Sequence, residues 1–493
     1  MNTKLYRSIG SHSCGIRMGA LNALDTDLET TSSETGRGHA TPAPEARSSF
    51  QAGSTMRRLT ARVAAVLTLS FAIASMAWAQ GGLEGPPPGP PGGGARSYKL
   101  SGAYTLSSGT EGAENKTYKS SSNDVSAVYV NNGAELTLVN PTIETSGDTT
   151  SQENSSFYGL NAAVLATQGS KVTISDGSVT TSGTGANGVF AAGSGAEISL
   201  SKVTIKATGT GGHGVMASGG GALTLTDVDI ISGPGANSAA IATDRGGGTI
   251  IVTRGTMVTS GRDAPGIYST GTIIVNGATI EGTAAEAAVI EGKNSITLTN
   301  CTLSGAAKCG VMIYQSFSGD AQGRKGTFAM NGGSLTATAG PLFYVSNTKG
   351  VITLQGVNVA ATSGTLVNAS AGRWGRSGSN GGNALFVADG ESLAGDLTCD
   401  SISSITATLQ NGTSLTGSIK GAALTLDSTS KWELTADSIL TALTDPNGVS
   451  GNTITNIYGN GHDARYDASL PANKWLQGTA YALANGGHLI PNR

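Results

Sequence analysis

The sequence predicts an all-β chain coiled into a right-handed parallel β-helix, a solenoid with three strands and about 25 residues per rung and a C-terminal cap. Three observations predict it: a glycine-rich and charge-poor composition, self-similarity at a nearly constant period, and apolar residues that alternate in aligned columns.

Glycine contributes 73 of 493 residues, charged residues 13% and aromatic residues 5%. A typical globular domain is roughly a quarter charged. Abundant Gly, Ser, Thr, Ala and Val suit narrow strands and tight turns, because large side chains have little room in a thin core. The net charge of -3 supplies no global attraction for nucleic acid, so no nucleic-acid partner is expected.

Residues 1–55 are polar and without periodicity. Met56 then opens a stretch in which Arg57, Arg58 and Arg62 precede an apolar run from Val63 to Trp78 that closes on Ala77-Trp78-Ala79. This is the pattern of a Sec signal peptide over 56–79, with cleavage expected after Ala79. The run is shorter than the ~20 apolar residues of a membrane-spanning helix. A signal peptide belongs at a terminus, so Met56 is read as the true start and 1–55 as untranslated or disordered. Residues 80–97 form a Pro/Gly-rich linker. Export to the cell surface or the extracellular space follows as the expectation, with the periplasm as a further address.

The main repeats span 98–395. Comparing GVFAAGSGAEISLSKVTIKATG (188–209) with GVMASGGGALTLTDVDIISG (214–233) defines a unit of strand, glycine-rich turn, strand, tight corner, strand and turn. The first apolar position of the middle strand is Leu136, Val172, Ile198, Leu223, Ile250, Ile273, Ile296, Phe328 and Ile352. Successive differences are 36, 26, 25, 27, 23, 23, 32 and 24, a period of about 25 with two insertions. Two residues on, every unit is again apolar, from Leu138 to Leu354, so one face is buried. A third column lies seven residues after the first, at Ile143, Val179, Ile205, Ile230, Ile280, Leu303, Leu335 and Val359, with Val258 at eight. A single rung cannot bury its own apolar face and does so against its neighbours. Residues 396–493 read as shortened rungs and a C-terminal cap containing Trp432, Tyr466, Trp475 and Tyr481.

These columns resemble the right-handed parallel β-helix proteins, and over roughly 98–445 the passenger regions of pertactin-like autotransporters. The most particular stretch, LTLDSTSKWELTADSILTALTD (424–445), is similar to the Trp-containing segment that seeds folding of such passengers. A family member continues into a membrane β-barrel. This sequence ends at Arg493, so a secreted or surface-associated β-helix is expected rather than a self-transporting one.

Many β-helices cleave polysaccharides, which takes two carboxyl groups roughly 5–10 Å apart. The outward positions of the middle strand carry Thr137, Thr173, Ser199, Thr224, Thr297 and Thr353 instead. Gly212-His213-Gly214 is similar to the Gly-His-Gly of polygalacturonases, but His213 occupies the turn position of Asn187 in the preceding rung. The acidic motifs of that family are missing, so His213 is read as a turn residue. Asp227 and Asp229 flank inward Val228 and read as solvent-facing corner residues rather than a lyase calcium site. Cys301, two residues before inward Leu303, is expected to fill core space; a bridge to Cys309 stays open. No catalytic residue, cofactor or metal-ligand spacing is assigned.

The turn after the first strand varies most. Stacking would align Arg245, Lys293, Arg324, Lys325, Lys349, Arg373 and Arg376 beside Tyr314, Phe317 and Trp374. A basic and aromatic strip suits acidic or neutral glycans, since aromatic faces pack on sugar rings and guanidinium groups bind carboxylates in pairs. The expected function is an exported adhesin-like or glycan-binding rod, with glycans or cell-surface polymers, host surfaces included, as partners. The alternatives are a polysaccharide lyase or glycoside hydrolase, and, from the Thr/Ser ladder, an ice-binding protein.

Overall fold

The computed structural model describes residues 98–317, 321, 323 and 325–492. The signal peptide, the segment before it and the linker lie outside the described residues, as does Arg324. Stacking of equivalent strands is parallel throughout the repeats. Val164–Thr167, Val189–Ala192 and Val215–Ser218 pair in the first sheet, Lys171–Ser175, Glu197–Ser201 and Gly221–Thr226 in the middle sheet, and Ser178–Thr181, Thr204–Ala207 and Asp229–Ser232 in the third. About 15 turns of roughly 25 residues follow one another. They begin one rung before Leu136, where Glu111 and Ala113 stand in register with Leu136 and Leu138.

The inward columns are buried from Leu136 and Leu138 to Ile352 and Leu354. One position differs from the sequence reading. Met257, not Val258, continues the third column, because strand register pairs it with Ile230 on one side and Ile280 on the other. Both residues are apolar, so only the register decides which faces inward.

The corner between middle and third strands has constant length because its first residue is always left-handed. Asn115, Asn140, Asp176, Lys202, Asp227, Arg254 and Asn300 have φ between 51° and 60°, and glycines take the same place at 277, 332 and 356. The next residue turns inward, as Val203, Val228, Ala278 and Cys301 do. Cys301 therefore fills core space, as its spacing predicts, and both it and Cys309 are free thiols. Burial pushes the Cys309 thiol well up. Asp227 holds Arg254 of the following rung through two hydrogen bonds of 2.6 and 2.8 Å, which keeps its carboxyl below the usual range.

The 36-residue interval between Leu136 and Val172 contains a helix, Gln152–Tyr158. Ser151 caps it by accepting the Asn154 N–H, and Gly159 (φ 77°) ends it in the left-handed region. The helix lies on the outer side of the first sheet. Ser218 Oγ donates to Phe157 O at 2.7 Å, and Gln152 Nε2 donates to Gly211 O at 2.8 Å. This cover is needed because the outward residues of the first sheet, among them Leu165, Phe190 and Met216, are apolar and form a second buried cluster.

At the C-terminal end the rungs shorten: Phe386 pairs with Ala407 and Ala407 with Leu424. A 3-10 helix, Pro471–Leu476, lies against Ser438–Thr444. Asn473 donates to Thr441 O and accepts from Leu443 N, while Trp475 Nε1 donates to Leu443 O at 2.8 Å. Peptide groups that would template a further strand are thereby occupied. Among the described residues no helix is long and apolar enough to cross a membrane.

Candidate functional site

The outer side of the first sheet and the turn that follows it bring together the residues of greatest chemical interest. Near the N-terminal end, a groove of about 480 Å³ opens between Tyr98, Leu100, the end of the helix and the first-strand turns. Its walls include Phe157 and Tyr158, with Thr167, Gln168, Ser194, Ser218 and Arg245 along the turns. Tyr98 is 40% exposed and stacks on Tyr158 with ring centroids 4.5 Å apart. The floor stays flat because Gly193, Gly219 and Gly246 carry left-handed backbone (φ 89°, 57° and 79°) without side chains.

Arg245, on the turn after a first strand, lines this groove. Its guanidinium lies over the Phe157 ring at 3.8 Å and pairs with Glu153 at 3.8 Å. The remaining strip residues do not form one continuous exposed edge. Tyr314 is fully buried and Trp374 is only 4% exposed. Asn380 Nδ2 donates to the carbonyls of Gly372 and Trp374 at 2.8 and 2.9 Å, folding the loop back so that the indole packs on Tyr314 and Phe317. The physical reason is the same as for the helix: this loop roofs the apolar outer side of the first sheet. Phe317 stays 48% exposed at the roof's edge, and Arg373 lies 4.4 Å over the Trp374 ring. Lys325 and Lys349 belong to middle strands, in register with one another, rather than to the turn. Lys293 and Arg376 are exposed.

Under that roof sits a carboxylate that the outward middle-strand positions do not reveal. Glu291 ends a first strand, Ala288–Glu291, and is fully buried. Tyr314 Oη donates to it at 2.9 Å, and the Tyr268 and Ser316 hydroxyls donate as well. Burial together with the Glu291 charge holds both phenols well above their ordinary range. Asp244, also buried, stands on the same outward column two rungs earlier. The signal was present in the sequence: an acid at the last residue of the first strand in ATD and VIE, where other rungs place the uncharged Thr167, Ala192, Ser218, Tyr314 and Ser346.

His213 takes the turn position expected of it. Its N–H donates to Asn187 Oδ1 at 2.9 Å, and its Nδ1 accepts from the Ala239 N–H at 3.0 Å, continuing a column of side-chain to backbone bonds. Burial pulls its imidazole down to about 4. The folded value lies below the ordinary 6.5, so the unfolded chain takes up the proton first as pH falls. Stability contributed by neutral His213 is complete above pH 6.5 and is lost between 6.5 and about 4, by roughly 3 kcal/mol. His213→Asn, restoring the residue of the preceding rung, is expected to flatten that part of the stability curve. Urea midpoints for both proteins at pH 7 and pH 4.5 measure it; parallel losses would refute the assignment.

Residues 187–356 match the family model described as the right handed beta helix region. A comparison with curated proteins finds no match. The stacked parallel coils and this match together identify the repeat region as a right-handed parallel β-helix.

Proposed function

We propose that this β-helix is a glycan-binding interaction module of an exported protein, and that sugars bind in the groove beside Tyr98 and Tyr158. The observation that carries the reading is the groove itself: aromatic rings beside hydroxyl and amide groups, at a volume of about 480 Å³ suited to a short oligosaccharide. Aromatic faces cover the C–H face of a sugar, while Gln168 and Ser194 on the turns offer polar partners for ring hydroxyls. The Arg245 charge is already engaged by Glu153, which favours neutral over acidic sugars. The signal-peptide pattern at 56–79 supports export and a surface or extracellular setting, in line with an adhesin-like role.

The roofed carboxylates fit a structural role better than a hydrolytic one. Glu291 is spent on three hydroxyl donors beneath packed aromatic rings.

A glycan array probed with wild type and Tyr158→Ala tests the reading. Wild type is expected to bind neutral oligosaccharides, and the variant to lose about tenfold or more, as removal of one aromatic anchor does. Equal binding by both proteins would place the sugar elsewhere, and release of reducing ends would replace binding by catalysis.

A further inference from the structure

The turn between the third strand and the next first strand holds a second, unrelated cluster. Strand register pairs Ile267 with Ala288 and Ala288 with Val311, so the turns that precede them stack on three successive rungs. They contribute Asp263, Glu286 and Lys308. Asp263 and Glu286 are both 3% exposed. Lys308 Nζ extends across the intervening rung to lie 2.5 Å from Asp263 Oδ1 and 3.9 Å from Glu286 Oε1. Arg262 Nη1 stands 3.1 Å from the other Asp263 oxygen. The neighbours Ala264, Ala285, Ala287 and Cys309 are buried and carry no charge that competes for these groups. Glu286 Oε2 is buried without a hydrogen-bond partner among the described residues.

We propose that Lys308 and Asp263 become joined by an intramolecular amide bond after folding, with Glu286 as the proton-transferring group. The ion pair first passes one proton from Nζ to the Asp263 carboxylate, leaving a neutral amine and a carboxylic acid. The Nζ lone pair then adds to Cγ, and the negative charge that develops on Oδ2 faces Arg262. Glu286 takes a proton from the nitrogen and returns it to the Oδ1 hydroxyl, which leaves as water. One C–N bond forms, one C–O bond breaks, and no oxidant or reductant takes part.

Such a condensation is unfavourable for free groups in water, where amine and acid stay charged and apart. Here the two carboxyl groups are almost wholly shielded from water, and the fold holds the reacting nitrogen and carboxyl in contact. Burial raises the Glu286 carboxyl against the opposing pull of Lys308, as a group that must both accept and donate a proton requires. The product would clamp residues 45 apart in sequence, stapling three rungs of a fold whose rungs otherwise cohere only through their neighbours.

The test is peptide mapping of the folded, full-length protein by trypsin digestion and tandem mass spectrometry. An amide at Lys308 blocks cleavage there, so the expected species is peptide 263–293 joined to peptide 294–324, lighter by one water than the two together. Recovery of separate peptides 263–293, 294–308 and 309–324 from wild type would overturn the proposal and leave a buried ion pair. Glu286→Gln is expected to abolish the joined species, and its persistence there would overturn the role given to Glu286. Lys308→Arg keeps the charge without an amine able to form this amide, and must yield no joined species. The wild-type digest decides the bond whether or not either variant folds.

Discussion

Trp432→Ala is expected to destabilise the C-terminal rungs by ~3–5 kcal/mol, the range for truncating a large buried aromatic side chain. The indole is fully buried. It stands in register between Leu415 and Ile457, so its loss leaves a cavity across three rungs. Its Nε1 also donates to Gly417 O at 2.9 Å, and that buried carbonyl would lose its side-chain donor. In a solenoid each rung is held by its neighbours, so the damage should spread along the adjoining coils before the whole chain unfolds. Amide hydrogen exchange locates the effect: protection is expected to fall around 414–458 while residues near 200 keep theirs. A urea midpoint within error of wild type, with unchanged exchange in that segment, would contradict this packing role.

Gly209→Ala is the second substitution with a large expected effect, about 2–3 kcal/mol from overpacking between rungs. The turns after the third strand stack glycine on glycine at 183, 209, 235 and 261. A Cβ on Gly209 would sit 1.9 Å from the Gly183 carbonyl oxygen, and one on Gly183 or Gly261 would meet the preceding glycine at 1.9 and 1.8 Å. These are backbone atoms, so relief requires neighbouring rungs to move apart and lengthens their ladder hydrogen bonds. Gly112→Ala is the matched control, because its Cβ would find nothing nearer than 3.8 Å. Thermal unfolding of the two variants side by side should separate them clearly. Equal melting temperatures would mean that the turn column adjusts freely.

The inward columns and the corner were legible in the sequence because the same physical demand recurs at every rung. One apolar residue out of place would have been lost in noise, but nine in register are not. The Met257 position shows where that power stops: with two adjacent apolar residues, hydrophobicity cannot choose between them, and hydrogen-bond register can. The strip of basic and aromatic residues was legible as a set of variable turns but not as a surface. Sequence reading places Trp374 at a loop position where an aromatic suggests a binding platform. The fold instead draws it over Tyr314, because the first sheet has an apolar outer side that sequence periodicity does not distinguish from an exposed one. Arg245 reaches the groove, whereas Tyr98 and Tyr158 come from segments that repeat nowhere else in the chain.

The sequence by itself determined the period, the three inward columns and the constant corner, since these are one-dimensional regularities enforced by stacking. Only the tertiary structure decided what covers the first sheet, where the groove opens, and which charged groups meet. Glu291 with Tyr314, and Asp263 with Glu286 and Lys308, are separated by 23 to 45 residues and become neighbours only when successive coils close. Their meeting depends on the lengths of turns and insertions that follow no repeat, and for such segments contacts in space, not spacing along the chain, set the chemistry.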